Sequence, residues 1–237
     1  MKAIILAGGL GTRISEETSD KPKPMVLLDD KPIIWHLMNV FANQGISEFV
    51  IATGYRHDVI DEWVSNLKTD WEITVLDTGL NTQTGGRIKQ CMDFIGDERV
   101  LATYGDGLGN INIPALVEFH EMHKVTATVT AVRPPARFGV LETSNGIVTH
   151  FGEKNQTDVG WINGGFFVLE PEVNSFIAGN HEPFETGAMP RLVEKNLLAA
   201  YHHSGFWQPM DTLRERNELK SFAQTKLPPW LVGILNE

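Results

Sequence analysis

A short apolar strand running straight into glycines limits this chain more than any other stretch: Ala3-Ile4-Ile5-Leu6, then Ala7-Gly8-Gly9-Leu10-Gly11-Thr12-Arg13. Glycine has no Cβ, so the backbone after the strand can turn sharply and approach a ligand. Successive free N–H groups in such a loop form a concave anion site. Arg13 adds a planar fork suited to phosphate oxygens. Lys23, within Lys21-Pro22-Lys23-Pro24-Met25, adds a point charge on a stretch stiffened by two prolines. Two familiar glycine signatures do not fit. The dinucleotide fingerprint needs glycine three places after Gly11, where Ile14 stands, and the P-loop's closing Gly-Lys would fall on Arg13 and Ile14.

A formal net charge of −10 over 237 residues disfavours nucleic acid or an anionic membrane as partner, because both reward basic surfaces. The Arg13 to Lys23 stretch is a local exception. Cys91 is the single cysteine, which fits a reducing, cytoplasmic setting and allows no intrachain disulfide. The apolar run after Lys2 ends at Gly8, too short for a signal peptide or membrane span. The length fits a single domain.

Hydrophobic spacing predicts helices over 32–43 and 58–67, the second turning Val59, Ile60, Trp63, Val64 and Leu67 inward. Strands are expected over 49–52 and 73–76. Strand, helix, strand, helix, strand at this spacing implies right-handed crossovers and a parallel sheet, with ligands beyond the strands' carboxyl ends. A further loop, Asp77-Thr78-Gly79 through Thr82-Gln83-Thr84-Gly85-Gly86-Arg87, feeds a helix to Phe94, with a threonine as its local cap. The strand 100–104 ends at Gly105-Asp106-Gly107, and an aspartate so placed can hold a hard cation beside a phosphate. His120 and His123 on the helix 113–123 read as a surface pair, because His-Glu-Met-His lacks zinc-site spacing. Strands follow at 127–132 and 198–202, and Ser144-Asn145-Gly146 marks a hairpin between Val140-Leu141 and Ile147-Val148. Local sequence makes Asp211 the N-cap of a last helix that starts at Thr212 and runs to Gln224, and Pro228-Pro229-Trp230 reads as a docked extension or a subunit contact.

Gly-Gly-Leu-Gly-Thr-Arg followed by Lys-Pro-Lys-Pro-Met resembles the signature of sugar-1-phosphate nucleotidyltransferases, which join a nucleoside triphosphate to a sugar phosphate and release pyrophosphate. Ser15 stands where most of that family has proline. This variant, with the Asp-Thr-Gly, Thr-Gly-Gly-Arg, Tyr-Gly-Asp-Gly and Phe-Trp-Gln-Pro-Met-Asp-Thr runs, resembles the glucose-1-phosphate cytidylyltransferase branch. The resemblance implies a Rossmann-like α/β fold: a mixed, mostly parallel sheet flanked by helices, with a β-hairpin elaboration on the sugar side. It would form one domain over 1–237, with 1–110 mainly nucleotide-binding and 111–237 mainly sugar-phosphate-binding.

The implied reaction joins CTP to α-D-glucose 1-phosphate with Mg²⁺ as cofactor, giving CDP-glucose and pyrophosphate. Leu6, Ala7, Gly8, Gly9, Gly11, Thr12, Arg13 and Lys23 would bind the nucleotide, with the Gly8 to Thr12 backbone, Arg13 and Lys23 on its phosphates. Thr82, Thr84, Gly85, Arg87, Tyr104 and Gly105 would also bind the nucleotide, the Thr82 to Arg87 loop at base and ribose with the amides of Gly85 and Gly86 at the base edge. Arg13, Lys23 and Asp106 would be catalytic, and Asp106 and Asp211 the metal ligands. Gly139, Glu153, Lys154, Asn163, Gly164 and Glu185 would bind the sugar phosphate, with lysine on the phosphate and glutamate on sugar hydroxyls. A homo-oligomer is expected. Two features depart from the branch. Gly187-Ala188-Met189-Pro190 stands where a further acidic residue and a proline are usual, and an extra stretch between Leu67 and Ile73 is missing.

Overall fold

A computed structural model describes residues 1–134, 139–144, 147–153 and 160–235. Its centre is the strand Ala3–Leu6, wholly buried, with Glu48–Thr53 and Val100–Tyr104 parallel on either side and Glu72–Asp77 parallel beyond Glu48–Thr53. Burial on both faces is the usual condition of a parallel sheet, and it explains the unbroken apolar run. Alternation then divides the core. Ala3 and Ile5 pack on the side of the helix Ile33–Ala42, whereas Ile4 and Leu6 face the helix Thr84–Ile95.

The sheet becomes mixed past Val100–Tyr104, where Phe167–Leu169 pairs antiparallel to it. Ala127–Val132 lies antiparallel to both Phe167–Leu169 and Ile162–Asn163, and Leu198–His202 joins its other edge in parallel. The expected hairpin pairs Gly139–Ser144 with Ile147–Glu153. Lys154 and the Asn145-Gly146 turn lie outside the described residues. No helix among the described residues is long and apolar enough to cross a membrane.

Local expectations needed four corrections. The helix His57–Asn66 turns Ile60, Val59, Trp63 and Val64 onto the core as expected, with Ile60 alone fully buried, but Leu67 lies beyond its end. The helix Thr84–Ile95 has no side-chain cap. Instead, the Gln83 and Gly85 amides donate to the carbonyls of Asn180 and Glu182 at 2.8 and 3.1 Å, a long-range partner that no local rule anticipates. His120 is not on the surface. It is buried, with its ring nitrogens against Thr128 Oγ1 (2.8 Å) and Glu170 Oε1 (3.1 Å), while His123 alone is exposed. Asp211 is not a cap either; Thr212 caps the helix Leu213–Ala223 through a capping box with Glu215. Trp230 is fully buried against His36 and Phe206, so the tail is a docked extension.

Candidate active site

Strand register builds the site. Leu6 lies opposite both Ala52 and Tyr104, so the segments that follow these strands leave the sheet side by side at their carboxyl ends. The Ala7 and Gly105 amides extend the pairing, donating to Ala52 O (2.8 Å) and Leu6 O (2.9 Å). Between these segments opens a cleft of about 610 Å³, lined by Leu6–Arg13, Lys23-Pro24, Leu80–Thr84, Arg87, Tyr104 and Asp106.

Asp106 and Asp211, far apart in sequence, meet through a second strand pair. Gly107–Gly109 runs antiparallel to Trp207–Pro209 with Pro209 opposite Gly107, and the Met210 amide donates to Asp106 O at 2.8 Å. Lys23 enters between the two carboxylates. It opens a tight turn, Lys23–Met25, after an extended Pro22, and its side chain is only 9% exposed. Its ammonium lies 2.6 Å from Asp106 Oδ2 and 2.8 Å from Asp211 Oδ1. Arg13 Nη1 takes the other Asp211 oxygen at 2.7 Å while its side chain stays 73% exposed. Two cations and two carboxylates therefore close a neutral quartet at the mouth of the glycine loop. Glu215 sets the approach of Asp211: its Oε2 accepts the amides of Asp211 and Thr212 at 2.8 and 2.9 Å.

Oxygens of both aspartates share one ammonium, so they lie close enough to share one small cation. Among the described residues no group of three or more His, Cys, Asp or Glu side chains could cage a metal. A hard oxygen pair of this kind fits a magnesium-type ion that completes its shell with water and substrate phosphates.

Arg87, which also lines the cleft, braces the glycine loop. It is buried, its Nη2 donating to Gly8 O at 3.0 Å and its Nη1 to Thr53 O and Thr78 Oγ1. Burial holds its pKa below the ordinary arginine value. A Cβ on Gly8 would come within 2.1 Å of that guanidinium, so any side chain there would displace Arg87 from its bonds under the loop. Gly11 sits at φ 65°, a left-handed conformation in which an L side chain is strained.

Other donors on the Leu80–Thr84 side of the cleft are also engaged. The Thr82 hydroxyl donates to Thr78 O (2.5 Å), and the Gly85 amide, expected at the base edge, is held by Glu182. Asn81 and Gln83 present exposed amides on the same side. Sequence reasoning passed over both, although an amide carries the donor and acceptor pair that a base edge needs.

Glu185 ties Thr84 to Tyr104. Its Oε2 accepts the Thr84 hydroxyl at 2.7 Å and its Oε1 the Tyr104 hydroxyl at 2.6 Å. Asn163 Nδ2 donates to the same tyrosine oxygen at 3.0 Å, and Gly164 O accepts from Trp207 Nε1 at 2.9 Å. Burial, reinforced by the Glu185 carboxylate, pushes the Tyr104 phenol well above its usual pKa, keeping it a neutral donor. Gly139 and Glu153 are paired with each other at the open end of the hairpin.

The family model for nucleotidyl transferases matches residues 2–215. The chain is 42% identical to glucose-1-phosphate cytidylyltransferase of Salmonella typhi over 253 aligned positions, covering 97% of this chain and 98% of the relative. It is 39% identical to the protein of Bacillus subtilis (strain 168) named "Probable glucose-1-phosphate cytidylyltransferase", with 98% and 100% covered. The 253 aligned positions exceed this chain's 237 residues, so the Salmonella protein carries residues that are lacking here. Among solved structures, HddC from Yersinia pseudotuberculosis matches with a TM-score of 0.73 over 93% of this chain and 98% of that one, at 22% identity, a likeness of fold.

Proposed function

Because this chain belongs to the nucleotidyl transferase family, we propose that it is a cytidylyltransferase joining CTP and α-D-glucose 1-phosphate to give CDP-glucose and pyrophosphate. The observation that carries the reading is the quartet: Lys23 between Asp106 and Asp211, with Arg13 beside them, at the mouth of the glycine loop. Two anions must be brought together for this reaction, so its demands are charge neutralisation and alignment, with no nucleophilic side chain.

A sugar-phosphate oxygen, ionised at neutral pH, attacks the α-phosphorus in line with departing pyrophosphate; the new P–O bond forms as the α–β bridge breaks. The Gly8 to Thr12 backbone cradles the β- and γ-phosphates, Arg13 neutralises the leaving pyrophosphate, and Lys23 offsets charge around the α-phosphorus. Asp106 and Asp211 would hold Mg²⁺, which supplies positive charge to the phosphates when bound. Lys154 takes the incoming phosphate and Glu153 the sugar hydroxyls, with Asn163, Gly164 and Glu185 around the sugar. The same reading makes residues 1–110 the nucleotide half and 111–237 the sugar half. It makes the enzyme a cytoplasmic homo-oligomer without nucleic acid or membrane partners, supplying CDP-glucose toward the dideoxy sugars of a bacterial surface polysaccharide.

A second reading keeps the chemistry and changes the acceptor. It is favoured by the residues this chain lacks relative to the Salmonella protein and by Gly187-Ala188-Met189-Pro190 next to Glu185. Pyrophosphate release measured over a panel of nucleoside triphosphates and sugar 1-phosphates, with the products identified, separates the two. CTP with glucose 1-phosphate should give the highest kcat/KM. A higher value for another sugar phosphate establishes the second reading, and preference for another base removes the cytidylyl assignment.

A further inference from the structure

The glycine loop is joined to the start of the last helix by three ionic bridges, and two of them involve groups that the reaction itself must recruit. Arg13–Asp211 and Lys23–Asp211 pair the proposed phosphate-binding cations with a proposed metal ligand. As the triphosphate draws on Arg13 and Lys23, both bridges weaken at the moment when the loop needs its position most. The third bridge is Glu17–Arg216, separated by 199 residues, and it uses neither a phosphate-binding cation nor a metal ligand.

Its placement suits a permanent tie. Glu17 sits on the single helical turn Ser15–Thr18 that ends the loop, a turn with no side-chain cap of its own. Ile14 is buried beside it, and the Thr18 hydroxyl donates to Gly11 O at 3.0 Å, so movement of this turn is passed directly to Gly11. Arg216 lies in the first turn of the helix Leu213–Ala223, its amide bonded to Thr212 O at 2.9 Å, five residues after Asp211. Both side chains are mostly covered, 20% exposed for Arg216 and 25% for Glu17, which limits screening of the pair. Arg216 Nε is buried with no hydrogen-bond partner among the described residues, so the guanidinium accepts an unpaired donor to make this contact. The Tyr55 hydroxyl lies 3.2 and 3.1 Å from the carbonyls of Thr18 and Ser19, to which it donates.

We propose that Glu17 and Arg216 are positioning residues: their ion pair keeps the glycine loop and Arg13 over Asp211 when the Arg13–Asp211 and Lys23–Asp211 bridges open for the nucleotide. The proposal rests on the nucleotidyl-transfer reading. The test is calorimetric binding of CTP with Mg²⁺ to the full chain, without sugar phosphate, for Glu17→Gln, Arg216→Met and the double variant. Each single change should weaken CTP about five- to tenfold, the scale of one coupled contact, and the double should be no weaker than either single. Arg216→Lys, which keeps the charge but loses the fork, should fall between wild type and Arg216→Met in CTP affinity. Single variants that lower the melting temperature yet bind CTP like wild type would make the pair merely structural and overturn the proposal. So would independent, multiplying effects in the double variant. Should Arg216→Met fail to fold, unchanged affinity in Arg216→Lys and Glu17→Gln overturns it equally. Wild-type protein that binds another nucleoside triphosphate in place of CTP removes the cytidylyl reading alone, and the same variants are then compared with that nucleotide.

Discussion

At Lys23 one ammonium answers two carboxylates, and each partner restrains the other two. Replacing either aspartate removes a preorganised charge and frees Lys23 to move with the survivor, so Asp106→Asn or Asp211→Asn should lower kcat at least about a hundredfold. Far-ultraviolet circular dichroism should be unchanged, since neither aspartate is buried. Near-normal turnover in both variants would take the two aspartates out of the reaction. Arg87 illustrates how one side chain can serve a cleft and a loop together. It lines the cleft, as its Thr-Gly-Gly-Arg setting suggests, and its guanidinium also donates to Gly8 O, Thr53 O, Thr78 Oγ1 and Leu80 O. Those structural partners come from segments that only the folded chain brings together.

The helix Leu213–Ala223 shows an element serving its own cap and the site together. The Thr212 hydroxyl accepts the Glu215 amide at 3.2 Å, while Glu215 reaches back to Thr212 and on to the Asp211 amide. Thr212→Ala should cost about 1 kcal/mol of stability, the usual loss of an N-cap, measured by urea unfolding. Because Asp211 hangs from the same box, kcat should also fall, and a variant destabilised by this amount with unchanged kcat would separate the cap from the site. The Thr-Leu-Arg-Glu spacing carries this box, yet the sequence was read with Asp211 as the cap; that Glu215 reaches Asp211 as well depends on where the preceding strand delivers the chain.

Across the fold, His36, His120 and His203 are covered imidazoles, each held by burial below the ordinary value of 6.5. For His120 the nearby Glu170 and Glu121 carboxylates oppose this and Arg99 adds to it, with burial prevailing. A depressed folded-state pKa means that the unfolded chain takes up protons first. The contribution to stability is therefore complete above about pH 6.5 and is lost as pH falls below it. The melting temperature should drop between pH 8 and pH 5.5, and His120→Gln should flatten the slope; an equally steep slope in that variant would remove His120 from the effect.

Periodicity and glycine placement were enough to foresee the parallel half of the sheet, most helices, the hairpin pairing and the loop at the strand ends, because these follow from local sterics and one-dimensional burial patterns. Family resemblance singled out Asp106 and Asp211 as a pair. Their shared ammonium, the burial of Arg87 and His120, the Glu185 bridge from Thr84 to Tyr104 and the docking of Trp230 came only with the tertiary structure. Each is a contact between segments tens to nearly two hundred residues apart. A polar side chain finds its partner from what the packed chain brings within about 3 Å, a distance that no spacing along the sequence encodes.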